Sequence, residues 1–275
     1  MKLSGKNGLV LGATRGLGLA IARKLAGQGV RLALPWFDWP ESCRAMEKEF
    51  AAQNMGHVTM ETDLRNPDSV RNMAQTIGRE FGSLHILINN IERGGMPVVH
   101  GGYQRKVNRE QWQLEMDTSL HAKWLVFEQC LGLLQKAEQA SVINISSIAA
   151  ITGRSGPAAM VFNDGYAAAN RAISSLTETW ARMGAPSIRV NELMTGLIDG
   201  RHGPGTRGWD LLDENIKKQL LEHTLLKRTG TPEEVADAVL FLVRDGVFMT
   251  GATIRLDGGF VLGGEEVPPM PDGIV

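Results

Sequence analysis

Gly8-Leu9-Val10-Leu11-Gly12-Ala13-Thr14-Arg15-Gly16-Leu17-Gly18-Leu19-Ala20-Ile21 is the stretch that decides the fold. Its opening residues form a short apolar run of the kind that makes a buried strand. Leu19, Ala20, Ile21, Leu25 and Ala26 then recur at helical spacing. Gly12-x-x-x-Gly16-x-Gly18 therefore falls where a strand gives way to a helix. Glycines at that junction permit a tight turn, let the backbone approach a pyrophosphate, and let helix pack closely on strand. The first N–H groups of the helix have no intrahelical acceptor and are available to an anion.

The alternation continues in both spacing and composition. Gly27-Gln28-Gly29 stops the first helix and Val30 to Leu34 reads as the next strand. Helices are expected over about 41–54, 67–81, 109–136, 165–183 and 232–243. Strands are expected over 57–63, 84–88, 140–146, 188–193 and 253–256. Strands alternating with helices imply right-handed β-α-β units, hence an α/β fold with a doubly wound parallel sheet. No repeat or domain-sized break in composition divides residues 1–275, so the chain reads as one domain. Residues 92–108 and 196–208 read as loops, and loops at the carboxyl ends of strands form the ligand crevice of such a sheet. The Gly- and Pro-rich tail, 260–275, is expected to pack on a neighbouring subunit or fray.

Composition excludes several classes. The 275 residues carry 29 Lys+Arg against 30 Asp+Glu, a net charge of −1, which provides no basic surface for nucleic acid. With 43% hydrophobic and 21% charged residues the chain is not disordered. Two cysteines, Cys43 and Cys130, give no disulfide framework and no metal cluster. Neither a signal peptide nor a membrane-spanning run is present, so a soluble cytoplasmic protein is expected.

Further motifs accompany the glycine turn. They are Asp63-Leu64, Asn89-Asn90, Asn144-Ile145-Ser146-Ser147, Tyr166 at the start of a helix, and Ile188-Arg189-Val190-Asn191. Gly230 to Ala236 and Thr250-Gly251 to Asp257-Gly258-Gly259 close the series. On these the chain resembles, over nearly its whole length, the short-chain dehydrogenase/reductase family in its single-domain Rossmann form. The 3-oxoacyl-carrier-protein reductase-like members are the nearest in pattern. The resemblance implies a cofactor site of Gly12, Thr14, Arg15, Gly16, Leu17, Gly18, Asp63, Leu64, Asn89, Ile145, Thr195 and Gly196. It also implies catalytic Ser147 and Tyr166, a small-molecule substrate met by residues 196–224, and a homotetramer or homodimer. Surplus apolar residues on the long helices (Leu120, Trp124, Leu125, Phe127, Leu176, Trp180) also suggest an interface.

The second strand ends without a carboxylate until Asp38, whereas Arg15 inside the glycine turn is placed to meet a 2′-phosphate. NADP is the expected cofactor, with NAD the alternative. The family's chemistry uses a tyrosine and, four residues on, a lysine whose charge lowers the tyrosine pKa. Here the segment is Tyr166-Ala167-Ala168-Ala169-Asn170, so the lysine is an asparagine. Ser119 stands where the family has a helix asparagine, Thr195-Gly196 replaces Pro-Gly, and Ile91-Glu92 follows Asn90 in place of Ala-Gly. Ser147 precedes Tyr166 by 19 positions, a longer interval than usual, and Ser155 is the competing serine. Lys123, one turn after Ser119, has two readings, an ammonium near the site and, more commonly for such a position, a surface lysine; His100 and Tyr103 read either as pocket-lining or, more commonly, as solvated or packing loop residues. Without a cation the Tyr166 phenol would stay near about 10. The expected function is an NADP(H)-dependent oxidoreductase reducing a carbonyl, or oxidising the matching alcohol. The alternative is a catalytically impaired dinucleotide-binding member acting as a sensor or assembly subunit.

Overall fold

A computed structural model describes residues 1–91, 109–200, 209, 212–264 and 267–273. Seven strands form one parallel sheet: β1 Asn7–Val10, β2 Arg31–Trp36, β3 His57–Glu61, β4 Ile86–Asn89, β5 Ala140–Ser147, β6 Ile188–Thr195 and β7 Thr253–Leu256. Their order is β3-β2-β1-β4-β5-β6-β7, with every pairing parallel. The chain winds one way from β1 to β3 and the other way from β4 to β7. The reversal between β1 and β4 is where such sheets leave a crevice for ligands.

The helices are α1 Gly16–Ala26, α2 Pro40–Ala52, α3 Pro67–Phe81, α4 Arg109–Glu115, α5 Ala122–Gln135, α6 Ala149–Thr152, α7 Asp164–Gly184, α8 Glu214–His223 and α9 Pro232–Arg244. They cover both faces of the sheet. On one face α1, α2 and α9 bury Leu25, Phe50 and Val239 against Val10, Leu34 and Ile143. On the other, α3, α5 and α7 bury Ile77, Phe127 and Trp180 against Leu87 and Val142. Phe127 stacks on Trp180 with ring centroids 4.1 Å apart. Leu125, Phe127 and Trp180 are thus core residues, while Trp124 remains 41% exposed.

Local chemistry sets the helix ends. Asn66 Oδ1 accepts from the N–H groups of Asp68 and Ser69 with Pro67 opening α3. Thr231 and Glu234 form a reciprocal capping box on α9. At the other end of α9, the Arg189 guanidinium donates to the carbonyls of Leu242, Val243 and Gly246, which satisfies that terminus and ties it to β6.

Three expectations need correction. The helix expected over 109–136 is broken by a π-helical turn at Met116–His121. There the Thr118 hydroxyl donates to the Leu114 carbonyl at 2.7 Å, a side-chain bond that competes with the helical ladder. Residues 214–223, inside the expected substrate loop, form a helix capped by Asp213. The tail does not begin by fraying: Phe260 is 1% exposed, packed edge-on against His223. Among the described residues no helix is long and apolar enough to cross a membrane.

Candidate active site

The glycine turn is built by contact. Gly12 has φ +65° and a Cβ there would lie 2.4 Å from the Asn90 carbonyl oxygen. A Cβ on Gly18 would lie 2.0 Å from the Gly12 carbonyl oxygen. Asn90 Nδ2 donates to Leu11 O at 3.3 Å, joining the ends of β1 and β4. Arg15 precedes α1 with no side-chain cap, so the N–H groups of Gly16, Leu17 and Gly18 open α1 without an acceptor from that residue. Thr14 is buried and Leu17 packs on the core. A turn kept free of Cβ atoms before an uncapped helix fits the pyrophosphate of a dinucleotide.

Beside that turn, the Arg15 guanidinium lies over the Trp39 ring, 3.3 Å from its centroid. Burial pushes Arg15 down to about 10, against the pull of Asp38, so it keeps its charge at neutral pH. Burial first, then Asp63, raises the Asp38 carboxyl, while Arg65 and Arg15 oppose them. Asp63 follows β3 and is held by Arg65 in a bidentate pair, both bonds 2.8 Å. Burial pushes the Asp63 carboxyl up, but the bonds from Arg65 outweigh it and leave it below its ordinary value. Leu64 turns into the core. Beyond the ends of β2 and β3 there is therefore a cluster of two guanidiniums and two carboxylates, with Trp39 and Phe37 beneath the cations.

A buried polar chain crosses the sheet toward the other end. Asn89 Nδ2 donates to Asn144 Oδ1, and Asn144 Nδ2 donates to Thr177 Oγ1, both at 2.8 Å. The second bond sets the height of α7 against β5. From Asn144 to Ser147 the strand rises about 10 Å. From Thr177 back to Asn170 the helix covers about 10.5 Å. Asn170 thus comes level with Ser147, and Tyr166 stands one turn beyond, over the carboxyl edge of the sheet. Ser147 is 3% exposed and its Oγ accepts from Ala149 N at 3.1 Å. Ser155 is exposed and donates to Thr152 O, away from the strand end. Ile145 packs into the core, and Thr195 Oγ1 donates to Ser146 O at the end of β6. Gly196 follows, against Asp257, where a Cβ would meet Asp257 Cα at 2.6 Å.

Two buried charges stand beside this polar chain, and of them the sequence reading singled out only Lys123. Glu115, Ser119 and Lys123, spaced four apart across the π-helical turn, are 0%, 1% and 3% exposed. Glu115 Oε1 accepts from Asn163 Nδ2 at 3.1 Å, and Asn163 Oδ1 caps α7 by accepting from Tyr166 N at 2.8 Å. Ser119 Oγ lies 3.5 Å from Glu115 Oε2. Lys123 is not a surface lysine: its Nζ donates to the Ile145 carbonyl, two residues before Ser147. The i, i+4, i+8 spacing was the available signal, since it puts all three on one helix face among apolar neighbours. Asn170 Nδ2 donates to Tyr166 O of its own helix at 2.9 Å. His100 and Tyr103 lie outside the described residues, as do Arg201, His202 and Leu211 of the expected substrate loop. A cleft of about 480 Å³ beside α8 is lined by Pro157, Gln219, Glu222, His223, Gly263 and Gly264, none of them singled out from the sequence.

The profile of a family described as enoyl-(acyl carrier protein) reductase matches residues 12–261. The chain is similar to a 3-oxoacyl-[acyl-carrier-protein] reductase of Staphylococcus aureus, 27% identical over 264 residues, covering 95% of this chain and 100% of that one. It is also similar to the Chlamydia trachomatis reductase of the same name, 29% identical over 94% of this chain and 98% of the relative. Among solved structures, a blue fluorescent protein from a metagenomic library, in complex with NADPH, superimposes with a TM-score of 0.80 at 25% identity, covering 94% and 99% of the two chains. A Serratia marcescens short-chain dehydrogenase/reductase double mutant shares the fold, with a TM-score of 0.80 at 24% identity, covering 95% of this chain and 100% of that one. The chain belongs to the short-chain dehydrogenase/reductase family of oxidoreductases.

Proposed function

We propose that the protein is an NADPH-dependent reductase of a small carbonyl compound, with the matching alcohol oxidation as its reverse. The observation that carries this is the convergence, at one edge of the sheet, of a Cβ-free turn, buried Ser147 and Tyr166. Gly12, Thr14, Gly16, Leu17 and Gly18 would hold the pyrophosphate and Arg15 the 2′-phosphate. Asp63 and Leu64 would border the adenine, and Asn89, Ile145, Thr195 and Gly196 the nicotinamide half. When bound, the reduced nicotinamide supplies a hydride to the carbonyl carbon. Ser147 Oγ orients the substrate oxygen by a hydrogen bond, and the Tyr166 hydroxyl gives that oxygen its proton. Ser119 and Asn170, where the family has asparagine and lysine, would line the relay side without adding charge. Partly buried Phe162, Leu197, Trp209 and Val261 beside α8 suit a partly apolar substrate.

The test is a screen of NADPH oxidation over carbonyl compounds, run beside fluorescence titrations of NADPH and NADH. NADPH should bind about ten- to a hundredfold tighter than NADH, and Arg15→Ala should erase most of the difference. Equal binding of the two by the wild type would overturn the cofactor assignment. Tight binding with no turnover across the screen would overturn the reductase assignment and leave the sensor or assembly reading.

The proposed assembly is a homo-oligomer working in the cytosol, joined through α4 and α5, where Trp112 and Trp124 stand 39% and 41% exposed. Sedimentation at micromolar concentration should give a dimer or tetramer, and Trp124→Glu should shift it toward monomer. A monomeric wild type contradicts the proposal.

A further inference from the structure

Position 170 gives the tyrosine helix no cation one turn after Tyr166. Asn170 is buried and its amide turns back to the Tyr166 carbonyl, so it contributes only a local hydrogen bond. A lysine is almost never this buried, because its ammonium gives up the water that solvated it. Yet Lys123 is 3% exposed, and its ammonium donates to Ile145 O, on the strand that carries Ser147. An apolar residue of similar length, such as methionine, would fill the same space without the desolvation cost. The ammonium approaches from α5, on the sheet face that α7 also covers, since Phe127 of α5 stacks on Trp180 of α7. Ile145 lies between Asn144, which is bonded to α7, and Ser147, which is level with Asn170.

We propose that Lys123 is the cation of this reaction centre: lodged under Ile145, it takes over from a neighbouring helix the electrostatic support of the Tyr166 phenolate that Asn170 cannot give. This rests on the reductase reading above for its use, but the charge effect itself does not need turnover to be seen. With an effective dielectric of about 20, a cation about 8 Å from a phenol lowers it by about 1.5 pH units, and the effect falls off inversely with distance. Other groups act on the same phenol. Glu115, reaching the α7 cap through Asn163, pushes it up. Glu192 of β6, bonded to the Ser146 and Thr253 hydroxyls, does the same from the sheet. Lys123 is the cation opposed to them among the buried residues of α4, α5, α7, β5 and β6 described here.

The chain has two tyrosines, Tyr103 and Tyr166, so a Tyr103→Phe background leaves one phenol to titrate by its absorbance near 295 nm. In that background Tyr166 should ionise below about 9. Lys123→Met should raise the midpoint by at least one pH unit, Lys123→Arg should hold it within about half a unit of the parent, and Glu115→Gln should lower it. A parent midpoint at or above about 10, or a Lys123→Met midpoint unchanged from the parent, overturns the proposal. Should Lys123→Met fail to fold, the parent midpoint and the Glu115→Gln and Lys123→Arg shifts still decide it. The same samples titrated with NADPH separate the two readings. A low Tyr166 midpoint that rises in Lys123→Met, in a protein that does not bind NADPH, sinks the reductase assignment and leaves Lys123 in its role.

Discussion

Tyr166→Phe is expected to lower NADPH-dependent carbonyl reduction by about 10²–10⁴-fold, the range spanned by losing a positioned general acid. The change removes one oxygen and keeps the ring that lies 5.9 Å from Phe162, so packing at the start of α7 should survive. NADPH affinity should move by less than about threefold, because the proposed phosphate contacts lie in the β1–α1 turn. The pH dependence has a definite sign. Reduction needs the phenol protonated, so its rate should fall as pH rises through the Tyr166 midpoint. Oxidation needs the phenolate and should rise through the same midpoint. With the midpoint at about 10, one part in a thousand would be ionised at pH 7. Each unit by which Lys123 lowers it gives tenfold more phenolate and tenfold faster oxidation at that pH. Full reduction activity in Tyr166→Phe would show that the proton comes from elsewhere.

The parts of the fold readable in the sequence are those fixed by short-range chemistry. Gly12 and Gly18 announce the first turn because a Cβ at either would strike a backbone oxygen. Asn66-Pro67-Asp68 announces α3 because the asparagine caps and the proline starts it. Helix α8 was hidden within a Gly-rich neighbourhood that set the reading of the whole segment, although Asp213 and the apolar positions Ile216 and Leu220 carry a helical signal. The π-helical turn has no composition signature; it follows from packing and from the Thr118 hydroxyl taking the Leu114 carbonyl. Ser147 and Tyr166 stand where their motifs put them, at the end of β5 and in the first turn of α7, whereas a residue's surroundings are not written in its type. Lys123 is the instructive case. A lysine on a long helix is nearly always a solvated residue, and only the depth of this one, beneath Ile145, shows otherwise. For Asp63 the motif implies a place in the cofactor site and carries no sign that Arg65, two residues later, holds both its oxygens.

Gly18→Ala is expected to weaken NADPH binding by more than a hundredfold while leaving the chain folded. The added methyl would sit 2.0 Å from the Gly12 carbonyl oxygen and 2.8 Å from Asn90 Nδ2. The Asn90 amide is the end of a side chain and can give way, at the loss of its bond to Leu11 O. The Gly12 oxygen cannot, because it belongs to a turn whose own φ of +65° is already confined by the Asn90 carbonyl. The turn must therefore open, and the N–H groups of Gly16 and Leu17 would no longer converge where a pyrophosphate would lie. Overpacking of this kind costs about 1–3 kcal/mol, which for a chain of this size lowers Tm by several degrees. Gly132→Ala is the matched control. Gly132 is in α5 with nothing within 4 Å of the added carbon, so the change should stabilise by up to about 1 kcal/mol and leave NADPH binding alone. Fluorescence titration of both variants with NADPH, beside thermal melts, makes the comparison. If Gly18→Ala binds NADPH within a few-fold of the wild type while Gly132→Ala behaves as stated, the β1–α1 turn does not hold the dinucleotide, and the cofactor site must be sought elsewhere along the carboxyl edge of the sheet.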